Sequence, residues 1–198
     1  MVFSKRAMTA LLVETREKIT TETGGVFLGK YLDGTWYVVE TIDPGPKAIF
    51  KTAYFEYDQD YINHLINKIS RLYNQQLDLV GLWHRHPGSL DSFSTTDDGT
   101  NSKYAELSFY GAISGLVNID PKFRLTMYHV SLPLNYEKID WIVNDELIPA
   151  EIQCLIDTEL LVTQIGTVSV NCKRTDKFAD IFKSVKKHKV VTSIHNYL

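Results

Sequence analysis

Two histidines and an aspartate within one short segment have the types of side chain that bind zinc. His84 and His86 are separated by a single residue, and Asp97 follows after a stretch of small and polar residues. Imidazole nitrogens and carboxylate oxygens are common zinc ligands, and a catalytic zinc usually has three protein ligands and a water in its fourth position. These three side chains could therefore hold a zinc ion that activates water.

A strand is needed to place the two imidazoles side by side. Residues 77–83, just before His84, form an apolar run that is typical of a buried strand. Alternate side chains of a strand point to the same face, so His84 and His86 are expected to project together from its end. Pro87 lacks a backbone N–H and ends the ladder, so we expect a loop to follow.

Peptide hydrolysis at such a site also needs a proton carrier outside the ligand set. The attacking water must lose a proton and the leaving amine must gain one, and a carboxylate usually carries it. Glu22 lies at a break in the chain before Gly24 and Gly25, where a side chain can be directed into a cleft, and we favour it on position. Glu40, at the end of a predicted strand, is the next candidate. The upstream glutamates are Glu14, Glu17, Glu22, Glu40 and Glu56.

Ser94 and Asp97 also have a purely structural interpretation. A serine followed three residues later by an acidic residue is an acceptable helix-capping pattern. A cap and a metal ligand can coexist in the same residues. A lone pair of histidines one residue apart is more often structural than metal-binding, so the metal hypothesis depends on several elements occurring together.

Composition excludes some classes of partner. The chain has 198 residues, with 21 Lys and Arg against 24 Asp and Glu, so its net charge of −3 predicts no nucleic-acid partner. No apolar run is long enough to span a membrane, no signal-peptide pattern opens the chain, and we expect no membrane partner. Cys154 and Cys172 suggest no disulfide framework. This cysteine usage predicts a cytoplasmic protein.

Helical and strand-like patterns alternate along the chain. Ser4 can cap a first helix and Asp58 a second, and a third short helix is predicted over 100–108. Buried strands are predicted over 26–29, 36–39, 77–83, 110–117 and 123–130, and another strand and a helix over 167–170 and 176–185. The apolar faces of the first two helices are predicted at Met8, Leu11, Leu12 and Ile19, and at Tyr61, Leu65, Ile69 and Leu72.

Taken together, these motifs resemble a known family of metalloproteases. Glu22 before Gly-Gly-x-x-x-Gly, and H-x-H-P continuing as H-x-H-x₇-S-x₂-D, are similar to the JAMM (MPN-plus) motif in its prokaryotic JAB branch. The resemblance covers roughly residues 1–135. It implies zinc held by His84, His86 and Asp97, with Glu22 as general base and acid. It also implies that Ser94 donates a hydrogen bond to the oxyanion.

The resemblance also implies a fold, a domain division and a function. The expected fold is α/β, a mixed central sheet flanked by helices in three αβα layers, similar to cytidine deaminase. The expected domains are a JAB domain over 1–135 and a C-terminal extension over 136–198, packed on or beside it.

The implied function is a zinc isopeptidase or endopeptidase acting at the C-terminus of a ubiquitin-like protein, in a bacterial conjugation system that can serve antiphage defence. Its partners would be that protein or its conjugate and the activating and conjugating enzymes of the system. The alternatives are a module that binds such a protein without cleaving it, and a hydrolase of a small carrier-protein or peptide conjugate.

Overall fold

A computed structural model of the protein describes residues 1–153, which form ten strands and three α-helices. Two 3₁₀ turns, Asp145–Leu147 and Ala150–Ile152, follow the last strand. The elements in chain order are β1 (Val2–Phe3), α1 (Lys5–Glu17), β2 (Thr23–Leu32), β3 (Thr35–Ile42), β4 (Ile49–Lys51), β5 (Tyr54–Glu56), α2 (Gln59–Leu72), β6 (Asp78–Arg85), α3 (Thr95–Ala105), β7 (Ala112–Asn118), β8 (Arg124–Ser131), β9 (Asn135–Ile139) and β10 (Ile142–Val143).

Eight of these strands form one mixed sheet, which confirms the predicted fold class. Their order is β10-β1-β3-β2-β6-β7-β8-β9. Strand β1 is parallel to β3 and β10, and β6 is parallel to β7, whereas the other neighbours are antiparallel. Strands β4 and β5 form a separate hairpin. Because β6 lies in the middle of the sheet, the residues that follow it start from a rigid element.

Helices cover both faces of the sheet, as predicted for three layers. On one face, Leu11 of α1 packs in a buried cluster with Phe27 and Trp83. On the other face, Ile62 of α2 and Tyr104 of α3 pack against a second cluster built from β2 and β3. Each fully buried side chain of this size contributes about 2 kcal/mol through the area it removes from water. The two clusters therefore hold the central strands from both sides.

The first two helices start at the predicted caps, Ser4 and Asp58, but one residue predicted on the apolar face of each is exposed. Ser4 caps α1 by accepting a hydrogen bond from the N–H of Ala7 at 2.9 Å. The helix ends at Glu17, so the prediction that Ile19 lies on its apolar face was wrong, and Ile19 is 62% exposed. Its carbonyl accepts a hydrogen bond from Arg85 instead of continuing the helix. Leu72, predicted on the apolar face of α2, is also exposed, because it is the last residue of the helix.

The strands differ from prediction mainly around the glycines. The short strand predicted over 26–29 is the ten-residue β2, which includes Gly24 and Gly25. A Cβ on Gly24 would lie 2.4 Å from Cζ of Phe55, and one on Gly25 would lie 2.6 Å from Nε1 of Trp83. Neighbouring rings therefore occupy the space that side chains would need, and the strand tolerates both glycines. Helix α3 begins at Thr95, earlier than the predicted 100–108.

Residues after 135 contribute to both edges of the sheet. Strand β9 pairs with β8, and β10 pairs with β1 at the opposite edge. The predicted division of the chain after residue 135 stays a prediction. The strand over 167–170, the helix over 176–185, Cys154 and Cys172 lie outside the described residues. No helix within residues 1–153 has the length and apolar character needed to cross a membrane.

Candidate metal centre

The two histidines lie where β6 ends against its neighbours. His84 is inside the strand, opposite Gly24 of β2 and beside Leu116 of β7, and His86 follows the last strand residue. The alternation of a strand directs both rings to one face, as predicted. Both residues are buried, with exposed fractions of 3% and 4%. After a loop through Pro87, α3 returns Asp97 to the same place.

The three predicted ligand atoms lie at distances that suit zinc. Nε2 of His84 is 3.0 Å from Nε2 of His86, and Oδ2 of Asp97 is 3.4 Å from each of them. A tetrahedral zinc with bonds of 2.0–2.1 Å has ligand atoms about 3.3 Å apart. Within residues 1–153 no second group of three His, Cys, Asp or Glu side chains is gathered in this way. The residues present therefore fit a zinc ion with an open fourth position.

The charge state of Asp97 also suits a ligand. Burial opposes its ionised form, but hydrogen bonds from His84 and His86 and from the backbone N–H of Ser94 outweigh it. Together these contacts hold the pKa of the Asp97 carboxyl well below its usual range. For His86, burial is the largest influence, yet the hydrogen bond and charge of Asp97 raise its pKa. The carboxylate is thus ionised at neutral pH and turned towards both rings.

A capping box at the start of α3 holds this carboxylate in place. Oγ of Ser94 accepts from the N–H of Asp97 at 3.2 Å, and Oδ2 of Asp97 accepts from the N–H of Ser94 at 2.7 Å. The capping interpretation of this pair is therefore confirmed, and it coexists with the metal-site geometry. The cap uses Ser94 Oγ as an acceptor, so its hydroxyl proton is left to be donated elsewhere.

Glu22 lies beside His86. Its Oε1 is 4.0 Å from Nε2 of His86, and its side chain is 17% exposed. Burial raises the pKa of Glu22 above its ordinary value, the charges of His86 and His84 oppose this, and the charge of Asp97 adds to it. A raised pKa suits a carboxyl that exchanges protons near neutral pH. The backbone N–H of Glu22 donates to the carbonyl of Lys51 at 2.8 Å, so the β4–β5 hairpin holds this segment.

The other glutamates considered as proton carriers are engaged elsewhere or exposed. Glu40, the next candidate, accepts from Nε of Arg6 at 2.7 Å and from the hydroxyl of Tyr73 at 2.6 Å. Glu14 accepts from the hydroxyl of Thr23 at 2.5 Å. Neither they nor Glu17 and Glu56 line the cavity at the histidines, whereas Glu22 does. Of these five glutamates, the structure places only Glu22, the one favoured on position, next to the histidines.

A cavity of about 290 Å³ opens directly onto these side chains. Its size is near the lower end of small-molecule pockets, which suits a narrow chain of atoms. One wall is the β4–β5 hairpin, where Phe55 packs on Gly24, and the opposite wall is α3. The lining residues include Glu22, Tyr54, Phe55, Tyr57, Leu82, His84, His86, Leu90, Ser94, Asp97 and Asn101.

Sequence reasoning missed this hairpin, because its two-residue connection, Thr52 and Ala53, lacks the Gly, Asn or Asp that marks a tight hairpin turn. Phe50 and Phe55 pair across the hairpin. Aromatic residues are enriched in strands, and this pair is the one signal that the local sequence offered. The missed element provides both a wall of the cavity and the backbone anchor of Glu22.

Aromatic side chains connect His84 to strand β9. The ring of Phe93 lies 5.6 Å from that of His84 and stacks at 4.9 Å on Tyr136 of β9. The hydroxyl of Tyr136 donates to Oδ1 of Asp98 at 2.7 Å and accepts from Nδ2 of Asn101 at 3.0 Å. Strand β9 thus fixes α3, which carries Asp97. No local sequence pattern pointed to this role of Tyr136.

Comparison with known proteins agrees with this architecture. The family described as prokaryotic homologs of the JAB domain matches residues 4–126, which include the histidines, Asp97, Ser94 and Glu22. A solved solution structure of a protein from Desulfitobacterium hafniense is similar, with a TM-score of 0.52 and 14% identity. The likeness covers 72% of this chain and 92% of that one and concerns the fold alone. Comparison with curated proteins finds no match. On the family match over most of its length, the chain belongs to the prokaryotic homologues of the JAB domain.

Proposed function

We propose that this protein is a zinc-dependent hydrolase of peptide or isopeptide bonds. The observation that carries the proposal is the set of three ligand atoms 3.0 to 3.4 Å apart, with the carboxylate of Glu22 4.0 Å from one of them. A zinc ion held by His84, His86 and Asp97 would supply a Lewis acid and a water of lowered pKa.

The remaining side chains have roles that follow from where they lie. Glu22, with its raised pKa, accepts a proton from the attacking water and delivers one to the nitrogen of the leaving amine. Ser94 donates its free hydroxyl proton to the oxygen of the substrate carbonyl as negative charge develops there. The capping box keeps Asp97 in position through both steps.

The substrate class that we propose is the C-terminal tail of a ubiquitin-like protein. The cavity is small and lies between a hairpin and a helix, which suits an extended tail better than a folded surface. The tail would be joined to a lysine, or would carry extra residues that are removed. Activating and conjugating enzymes of the same bacterial system, including systems of antiphage defence, are the partners that this substrate implies.

A cleavage assay with two variants tests the proposal. Glu22→Gln keeps the size of the side chain but cannot take up the proton, so we expect zinc content and substrate binding as in the wild type. Turnover of a ubiquitin-like conjugate should fall by about 10²–10⁴-fold, which is the usual contribution of a positioned general base.

Glu17→Gln is the matched control, because Glu17 is exposed on α1 and does not line the cavity. It should cleave like the wild type, and removal of zinc by a chelator should stop both. A wild type that binds the ubiquitin-like protein and never cleaves it would identify a binding module instead. Cleavage by Glu22→Gln at the wild-type rate would remove Glu22 from the mechanism.

A further inference from the structure

The residue between the two histidines points away from the metal centre. Strand alternation directs Arg85 to the face of β6 opposite His84, and its side chain is almost completely buried, with 1% exposed. Within residues 1–153 no carboxylate forms an ion pair with it. A buried cation without a carboxylate partner needs another source of negative potential.

Backbone carbonyls provide that potential. The guanidinium donates to the carbonyl of Lys18, to that of Ile19 at 2.5 Å and to that of Thr21 at 2.8 Å. These carbonyls follow the C-terminal end of α1, where the helix dipole is negative and favours a cation. A planar guanidinium can reach several acceptors at once, whereas an ammonium group is a compact point charge. The type of side chain is thus matched to this set of acceptors.

The anchored segment leads directly to Glu22. Residues 18–22 have no regular secondary structure, so their carbonyls depend on partners from other elements. Thr23, the next residue, pairs with Arg85 in the β2–β6 ladder. One strand therefore carries His84 and also holds, through Arg85, the segment that presents Glu22.

We propose that Arg85 is a positioning residue that sets the place of the Glu22 carboxylate relative to the two histidines. This inference rests on the proposed function of the site. A displacement of about 1 Å at a reacting group can lower the rate by about 10²-fold. Arg85 acts through Glu22 and does not contact the substrate.

Three variants test this assignment. Arg85→Ala should bind zinc as the wild type does, with kcat lowered by about 10²-fold and KM little changed. Millimolar guanidinium should restore part of kcat, because it can enter the space left by the side chain, whereas the same concentration of NaCl should not. Arg85→Lys keeps the positive charge but not the planar guanidinium, so a partial loss of kcat is expected. Arg16→Ala, at an exposed arginine of α1, is the control that should respond to neither salt.

A double-mutant cycle separates positioning from a general structural role. If Arg85 acts through Glu22, the losses of Arg85→Ala and Glu22→Gln should not add when the two are combined. Additive losses, or the absence of rescue by guanidinium in a zinc-loaded variant, would overturn the proposal. If Arg85→Ala does not fold, Arg85→Lys enters the same cycle.

Hydrogen exchange provides a measurement that does not depend on cleavage. Amides of residues 18–22 should exchange faster in Arg85→Ala and recover with guanidinium, and those of β7 should not change. If the wild type does not cleave, the proposed function fails. The exchange measurement then tests by itself whether Arg85 anchors residues 18–22. Unchanged exchange in residues 18–22 would overturn that role.

Discussion

Replacement of Ser94 by alanine should separate the structural and chemical roles of this residue. The substitution removes the acceptor of the 3.2 Å bond from the N–H of Asp97. The other half of the capping box, from the N–H of Ser94 to Oδ2 of Asp97 at 2.7 Å, uses the backbone and survives. We therefore expect a loss of about 1 kcal/mol in the free energy of unfolding, which is typical of a lost N-cap side chain. The melting temperature should fall by about 2–4 °C.

The effect on turnover should be larger than the effect on stability. Loss of one hydrogen-bond donor to an oxyanion lowers kcat by about 10²–10³-fold, or roughly 3–4 kcal/mol. Zinc content should stay at the wild-type level, because His84, His86 and the remaining half of the cap are untouched. The protein would thus be folded and loaded with metal but slow.

Elemental analysis, thermal unfolding and steady-state cleavage measure these three quantities on one preparation. Ser94→Thr keeps a hydroxyl and should retain most of the turnover. Ser108→Ala is a matched control, because Oγ of Ser108 also accepts a backbone N–H, from Tyr110 at 3.1 Å, away from the cavity. It should lower stability without lowering kcat. If Ser94→Ala loses stability but cleaves at the wild-type rate, Ser94 is only a helix cap.

Two further predictions concern the metal and the response to pH. Asp97→Ala should strongly lower zinc occupancy, because only two protein ligands remain, whereas Asp60→Ala, at an exposed aspartate of α2, should keep it. Full zinc in Asp97→Ala would refute the ligand assignment. Burial and the neighbouring Asp43 raise the pKa of Tyr61 to about 12 from 10.0. Because the pKa of Tyr61 is higher in the folded state, the stabilisation that its protonated hydroxyl gives the fold is complete below pH 10 and is lost as the pH rises through about 12. The free energy of unfolding should depend less on pH across this window in Tyr61→Phe than in the wild type. An equal slope of this free energy against pH in the two proteins would contradict the prediction.

The extent of β2 shows how neighbours override a local pattern. Two adjacent glycines are typical of a break, and the strand was therefore expected to begin at residue 26. In the structure, Phe55 and Trp83 fill the space beside Gly24 and Gly25, and both glycines pair with β6, whereas β3 pairs with β2 only from Val26 onwards. The glycines are thus sites of close approach within a strand. This distinction depends on side chains far away in the sequence.

The cluster of candidate metal ligands was predictable from the sequence because its geometry is local. Strand alternation directs His84 and His86 to one face, Pro87 ends the strand, and a serine three residues before Asp97 caps a helix that turns the carboxylate back. Each of these relations acts over a few residues and follows from backbone geometry. These local relations indicated the candidate ligand set before any contact was known, whereas the mixed α/β fold was implied by the resemblance to the JAB family.

The position of Glu22, the proposed proton carrier, was decided by tertiary structure. Glu22 approaches His86 because β2 and β6 pair antiparallel, and because the carbonyl of Lys51 and the guanidinium of Arg85 hold its segment. Tyr136 supports α3 from a strand at the edge of the sheet. These contacts join residues tens of positions apart, and their partners are chosen by the packing of the whole sheet. Local patterns do not encode such pairings, so position in the sequence suggested Glu22 but only the fold brought it to the histidines.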